Sequence, residues 1–82
     1  MGAAEMKVKR TVEIEIKGLG ARIKVAREAD ERSVEKICGE VGISRVYWYD
    51  IEAERIRGAL PEETLRRIER VLGKSFDVKF DQ

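Results

Sequence analysis

Histidine is absent from the 82-residue chain, and cysteine and proline occur once each. Without histidine, the chain lacks the commonest metal ligand and the commonest general base, so the composition excludes a histidine-based zinc site or catalytic centre. The lone cysteine, Cys38, cannot form an internal disulfide, and no base is apparent that would activate it as a nucleophile. We therefore expect a protein that has no metal or other cofactor and no enzymatic activity.

Long apolar runs are also missing, and no segment approaches the roughly 18 residues that a membrane-spanning helix needs. The first residues lack the apolar core of a signal peptide, and Met6 stands where a myristoylation signal requires serine or threonine. Together with the single cysteine, these absences lead us to expect a cytoplasmic protein with no membrane partner.

Charge is abundant but balanced, since 17 Lys and Arg stand against 16 Asp and Glu. The formal net charge of +1 points to no nucleic acid, membrane or acidic partner, so any binding site must be local. Apolar residues make up 43% of a chain so short that a single core is already marginal, which indicates one small domain. We predict a flexible tail over residues 1–9 and one domain over residues 10–82.

Hydrophobic periodicity predicts a mainly α fold with a short strand near each end. Alternation over Val12–Ile16 and Phe76–Phe80 is typical of half-buried strands, which we expect to pair antiparallel. Residues 53–61 are expected to form a loop or a short irregular helix, which would bring the bundle to five helices. The other four helices are predicted over Leu19 to Ala29, Ser33 to Gly42, Ser44 to Glu52 and Glu62 to Leu72.

The middle of the chain carries the most informative pattern. Gly42 separates two short helices and suits a tight turn, because glycine adopts the left-handed conformation without steric cost. Ser44 then caps the second helix of the pair. Cys38 is small enough to let the two helices approach, while Trp48 and Ile51 face inward and are predicted to set the angle between them.

The segment from about Leu19 to Ser75, which contains this pair, resembles the helix-turn-helix domain of the phage-repressor (Xre/Cro) family. The resemblance implies a lambda-repressor-like bundle in which the second helix of the pair lies in the major groove of DNA. It also implies that Arg27, late in the first helix, pairs with Glu52 at the end of this recognition helix. The chain departs from the family at Val34, where a phosphate-binding glutamine is common.

The resemblance further implies a DNA-binding surface on the third helix and in the loop after it. Arg45 is the best candidate for reading a base, because a guanidinium can pair with guanine through two hydrogen bonds. Val46 and Tyr49 are predicted to contact a thymine methyl group or the sugar-phosphate backbone, and Tyr47 to bind a phosphate through its hydroxyl. The other predicted contacts are all to phosphate, from Ser44, Arg55 and Arg57.

We expect a sequence-specific transcriptional regulator that binds double-stranded DNA as a homodimer, with its recognition helices ~34 Å apart. The apolar faces of the terminal strands exceed what a helical core needs, so we expect these strands to join the two copies. The alternative is a protein-protein interaction module, antitoxin-like or an adaptor, with weak or no DNA binding. It is favoured by the tyrosines of the third helix and by carboxylates that phosphate would repel, namely Glu28, Asp30, Glu31, Asp50 and Glu54.

Overall fold

The computed structural model describes residues 5–9 and 13–79. In these ranges no helix combines the length and the apolar character needed to cross a bilayer. The predicted mainly helical fold is confirmed, and residues 53–59 form turns rather than a fifth helix. The elements follow one another as β1 (Glu5–Lys9), β2 (Glu13–Lys17), α1 (Leu19–Glu28), α2 (Val34–Val41), α3 (Arg45–Glu52), β3 (Leu60–Pro61) and α4 (Glu62–Leu72).

The ends of α2 and α3 are set by the residues that the sequence places there. The hydroxyls of Ser33 and Ser44 cap these helices, each accepting a hydrogen bond from the main-chain N–H three residues further on, at 3.1 Å and 3.0 Å. Gly42 ends α2 in the left-handed conformation (φ 90°), and its N–H donates to the carbonyl oxygen of Cys38. Three residues therefore suffice to turn the chain from α2 into α3.

β1 is the central strand of the sheet, pairing antiparallel with β2 and parallel with β3. Its side chains at Met6 and Val8 are buried in the core. The prediction of a flexible tail over residues 1–9 is therefore wrong for residues 5–9, because apolar and charged residues already alternate there. The register also sets Lys7 across from Glu15, which places two opposite charges beside each other.

The predicted pairing of Val12–Ile16 with Phe76–Phe80 is wrong for the residues that the structure describes. β2 pairs with β1 instead, and residues 74–79, which we call the C-terminal segment, belong to no sheet. Val12 and Phe80 themselves lie outside the described residues. Sequence alternation indicates which side chains face the core, but it does not indicate which strand lies beside them, because any strand with one face on the core alternates in the same way.

The main chain of the C-terminal segment is held by hydrogen bonds with side chains and not by pairing with a strand. Arg22 and Arg66 donate to the carbonyl oxygens of Phe76 and Val78, at 2.8 Å and 2.7 Å. Glu69 accepts a hydrogen bond from the N–H of Phe76 at 2.8 Å. These bonds satisfy polar groups that a partner strand would otherwise pair, and they seat the side chains of Phe76 and Val78 in the core.

One apolar core lies under the helices, the sheet and the C-terminal segment. The apolar faces that we expected to join two copies are covered within the chain: Phe76 and Val78 are buried, and Ile16 packs against the same core. The side chains of Val12, Ile14 and Phe80 lie outside the described residues. For Ile16, Phe76 and Val78, the reason to join a second copy is therefore removed. The most deeply buried members of the core are Met6, Val8, Leu19, Ile23, Ile37, Val41, Trp48, Ile51, Leu60, Leu65 and Ile68.

α1 approaches α3 most closely at Gly20, where an added Cβ would lie 2.7 Å from the main-chain oxygen of Ile51. We expect Gly20→Ala to lower the free energy of unfolding by ~1–3 kcal/mol, the usual cost of overpacking, although alanine is the better helix former. Gly39→Ala in α2 is the matched control, because nothing lies within 4 Å of its added Cβ. The free energy of unfolding of this control, measured with urea, should rise by up to ~1 kcal/mol. A gain at both positions would contradict the close approach.

Candidate nucleic-acid interface

α3 has one buried side and one exposed side. Trp48 and Ile51 are fully buried, which fixes the rotation of the helix about its axis. Arg45, Val46 and Tyr49 lie on the opposite side, where Val46 is 73% exposed and Tyr49 is 45% exposed. The structure thus brings three predicted contact residues together on a single surface, which we call the α3 face (Arg45, Val46 and Tyr49).

Two other predicted contacts on α3 lie off this face. Tyr47 is half-buried against the core, about 100° around the helix axis from Val46, and burial raises the pKa of its hydroxyl. Ser44 is exposed at the start of the helix, and its hydroxyl oxygen is already engaged as the cap. The N-terminus of a helix is suited to binding an anion, so this end of α3 is compatible with the predicted phosphate contact.

Arg55 and Arg57 are exposed in the turns that follow α3. The guanidinium of Arg55 lies 3.8 Å from the carboxylate of Asp50, and the Arg55 side chain is 71% exposed. Exposed ion pairs of this kind contribute at most about 1 kcal/mol to stability, so Arg55 can exchange Asp50 for another anion at little cost.

A hydrogen-bonded network behind the α3 face holds α3 on α1. The Nε and Nη2 groups of Arg27 each donate to a different carboxylate oxygen of Glu52, both at 2.9 Å, and the indole N–H of Trp48 donates to Glu52 at 2.6 Å. Hydrogen bonding to Glu52 is the main reason that the pKa of Arg27 is raised. The Arg27 guanidinium also lies 5.8 Å from the ring centroid of Tyr49. The predicted pair of Arg27 and Glu52 is confirmed, and Trp48 is a third member that was not predicted.

Asp30, one of the carboxylates expected to repel phosphate, is bound inside the turn between α1 and α2. Three hydrogen bonds from Arg32 reach it, and they lower the pKa of the Asp30 carboxyl to about 2. The same guanidinium donates to the carbonyl oxygen of Val71 at 2.6 Å and to Glu40 at 2.8 Å. The Asp30 charge is therefore compensated locally, and Arg32 fastens the turn to α4.

Glu54 is turned towards α1. Its Oε2 accepts a hydrogen bond from the N–H of Gly20 at 2.7 Å, and so supplies the cap that Gly18, which has no side chain, cannot provide. This carboxylate stabilises the start of a helix, where a negative charge is favourable. Of the five acidic residues expected to weaken DNA binding, Asp30, Asp50 and Glu54 have an internal partner, while Glu28 and Glu31 are exposed.

Cys38 is buried between the helices, as its small size predicted. Burial raises the pKa of its thiol and so disfavours the reactive thiolate form. Over the described ranges, no three His, Cys, Asp or Glu side chains come together in a group that could hold a metal ion.

Lys24 of α1 is a residue of the site that was not predicted. It stands one turn before Arg27, and this spacing was the available signal, because residues three apart lie on neighbouring parts of one helix surface. Packing of α1 on α3 brings Lys24 beside the end of α3. There it lines a cleft of about 260 Å³ together with Tyr49, Glu52, Ala53 and Arg55.

Comparison of the chain with protein-family models, with curated protein sequences and with solved structures finds no match. Inference about function therefore starts from the α3 face, the network behind it and the cations beside it.

Proposed function

We propose that the protein is a cytoplasmic, non-enzymatic transcriptional regulator that binds specific DNA sequences through a lambda-repressor-like helix-turn-helix. The observation that carries this proposal is the α3 face. A guanidinium, an aliphatic side chain and a phenol project together from a short helix whose other side is buried. These groups match what the major groove displays, since arginine pairs with guanine and apolar side chains contact the thymine methyl group.

The size of α3 also supports this function. The helix has eight residues, and α-helices with side chains are ~10–12 Å across, which suits a major groove ~12 Å wide. Arg45 stands in its first turn, where helix-turn-helix proteins contact base edges. The exposed cations Arg55 and Arg57 flank the helix and are suited to phosphate. Binding as a homodimer to two half-sites ~34 Å apart stays a prediction.

The experiment starts by selecting bound duplexes from a random pool. Arg45→Ala is then expected to cost ~1–3 kcal/mol on the enriched sequence and to relax the preference at one base pair. Arg57→Ala should instead weaken binding to all duplexes alike. It should also reduce the slope of log K against log salt by about one unit. If no sequence is enriched, specific binding is contradicted. Equal losses on enriched and random duplexes for Arg45→Ala would contradict base reading by that residue.

A protein-protein interaction module is the second candidate, because Val46 and Tyr49 expose apolar and aromatic surface. Aromatic side chains are enriched at protein interfaces. A salt titration separates the two candidates. Binding to phosphate weakens steeply as salt rises, whereas contact through apolar surface does not.

A further inference from the structure

The cleft between α1 and the end of α3 adjoins the α3 face and shares Tyr49 with it. We propose that this cleft binds a DNA phosphodiester, with Lys24 and Arg55 as its cations and the Tyr49 hydroxyl as a hydrogen-bond donor. The inference rests on the proposed function and adds a DNA contact from α1, outside the helix pair. It is carried by the charge of the lining residues, by their existing partners and by the position of the cleft.

The only carboxylate in the lining, that of Glu52, is already neutralised. Arg27 donates to both of its oxygens at 2.9 Å, and Trp48 donates to one of them at 2.6 Å. The Glu52 side chain is only 6% exposed. A phosphate in the cleft therefore meets a carboxylate whose charge is balanced by Arg27, and the net charge of the lining comes from the two cations.

Neither cation is firmly held by an internal partner. Lys24 is exposed and forms no ion pair with any residue that the structure describes. Arg55 lies 3.8 Å from Asp50, well beyond the ~2.7–2.9 Å of a charge-assisted hydrogen bond, so this contact is weak. Two positive charges in the lining of one small cleft are suited to an anion with several acceptor oxygens, which a phosphodiester provides.

A simpler role for the cations would be to complement the negative end of the α3 dipole. Three of the last four carbonyl groups of α3, those of Tyr49, Asp50 and Ile51, are, however, already satisfied by the main chain. The N–H groups of Ala53, Glu54 and Arg55 donate to the last-turn carbonyl oxygens at 2.9 Å, 3.0 Å and 2.8 Å. Those three carbonyl groups therefore do not need Lys24 or Arg55 as hydrogen-bond donors.

The position of the cleft agrees with α3 lying in the major groove. Eight residues of α-helix span ~12 Å, which is close to the width of that groove. The proposed site requires α3 to lie across the groove rather than along it, so that each end of the helix is near a wall of phosphates. Ser44 and the helix N-terminus stand at one end, and the cleft with Lys24 and Arg55 stands at the other.

The test compares Lys24→Gln with Lys74→Gln, the same change of charge at an exposed lysine on the C-terminal segment. Each protein is titrated against one random-sequence duplex of about 20 base pairs, by fluorescence anisotropy, at several salt concentrations between about 50 and 200 mM. Lys24→Gln should weaken binding about fivefold to tenfold and reduce the slope of log K against log salt by about 0.9, the value for one phosphate contact. Lys24→Arg should retain the slope, and Lys74→Gln should match the wild type.

The outcomes separate the two proposals. If the wild type binds with a steep salt dependence but Lys24→Gln behaves like Lys74→Gln, the phosphate site is refuted and the proposed function stands. Should the wild type show no salt-dependent binding at all, the proposed function fails and the site fails with it. Because Lys24 is exposed, equal urea midpoints for all four proteins are expected, which ties any loss of binding to the cleft rather than to folding.

Discussion

Glu52→Gln is expected to lower the free energy of unfolding by roughly 3 kcal/mol, because removal of one partner from a buried ion pair leaves the other charge uncompensated. The carboxylate is 6% exposed and Arg27 is 19% exposed, so water can replace the lost partner only in part. Glutamine has one acceptor oxygen for the three donor groups that Glu52 binds. Urea unfolding followed by the fluorescence of Trp48, the only tryptophan of the chain, measures the effect.

Glu28→Gln is the matched control, since Glu28 is an exposed carboxylate next to Arg27 in the chain. It is expected to change stability by no more than about 0.5 kcal/mol. A double-mutant cycle with Arg27→Met and Glu52→Gln should give a coupling energy of ~0.5–3 kcal/mol, as residues in contact show. Additive effects in that cycle, or equal effects of the Glu28 and Glu52 variants, would contradict the network.

Removal of the residues before Gly18 is expected to leave the helices largely unfolded. The deletion takes away β1 and β2, and with them the buried side chains of Met6 and Val8. Burial of two such side chains contributes roughly 3–6 kcal/mol, at ~1.5–3 kcal/mol each. That loss is comparable with the whole stability of a small domain, ~5–15 kcal/mol. Circular dichroism at 222 nm and the urea midpoint measure the loss.

Point variants in β1 separate loss of the core from loss of chain length. Met6→Ala should cost ~2–5 kcal/mol, as large-to-small changes in cores do. Lys7→Ala, on the exposed side of the same strand, should cost no more than about 1 kcal/mol. A truncated chain that keeps the helical signal and the urea midpoint of the full chain would show that β1 and β2 are not part of the core.

The pairing of β1 with β2 could not be predicted from alternation alone, although the sequence held a further signal for it. Alternation correctly indicated that Phe76 and Val78 are buried, yet it did not indicate their partner, because any segment with one face on the core alternates in the same way. The opposite charges of Lys7 and Glu15 were a further signal for β1, since such pairs face each other in an antiparallel register.

The sequence by itself determined the four helices, the α2–α3 turn and the membership of the α3 face. Caps at Ser33 and Ser44 act within three residues, and helical spacing alone sets which side chains share a side, so neighbours in the chain hold this information. Only the tertiary structure decided that Glu54 faces α1 and that Lys24 meets Arg55 across a cleft. These contacts join separate elements, and they exist because Gly20 lets α1 pack closely against the end of α3.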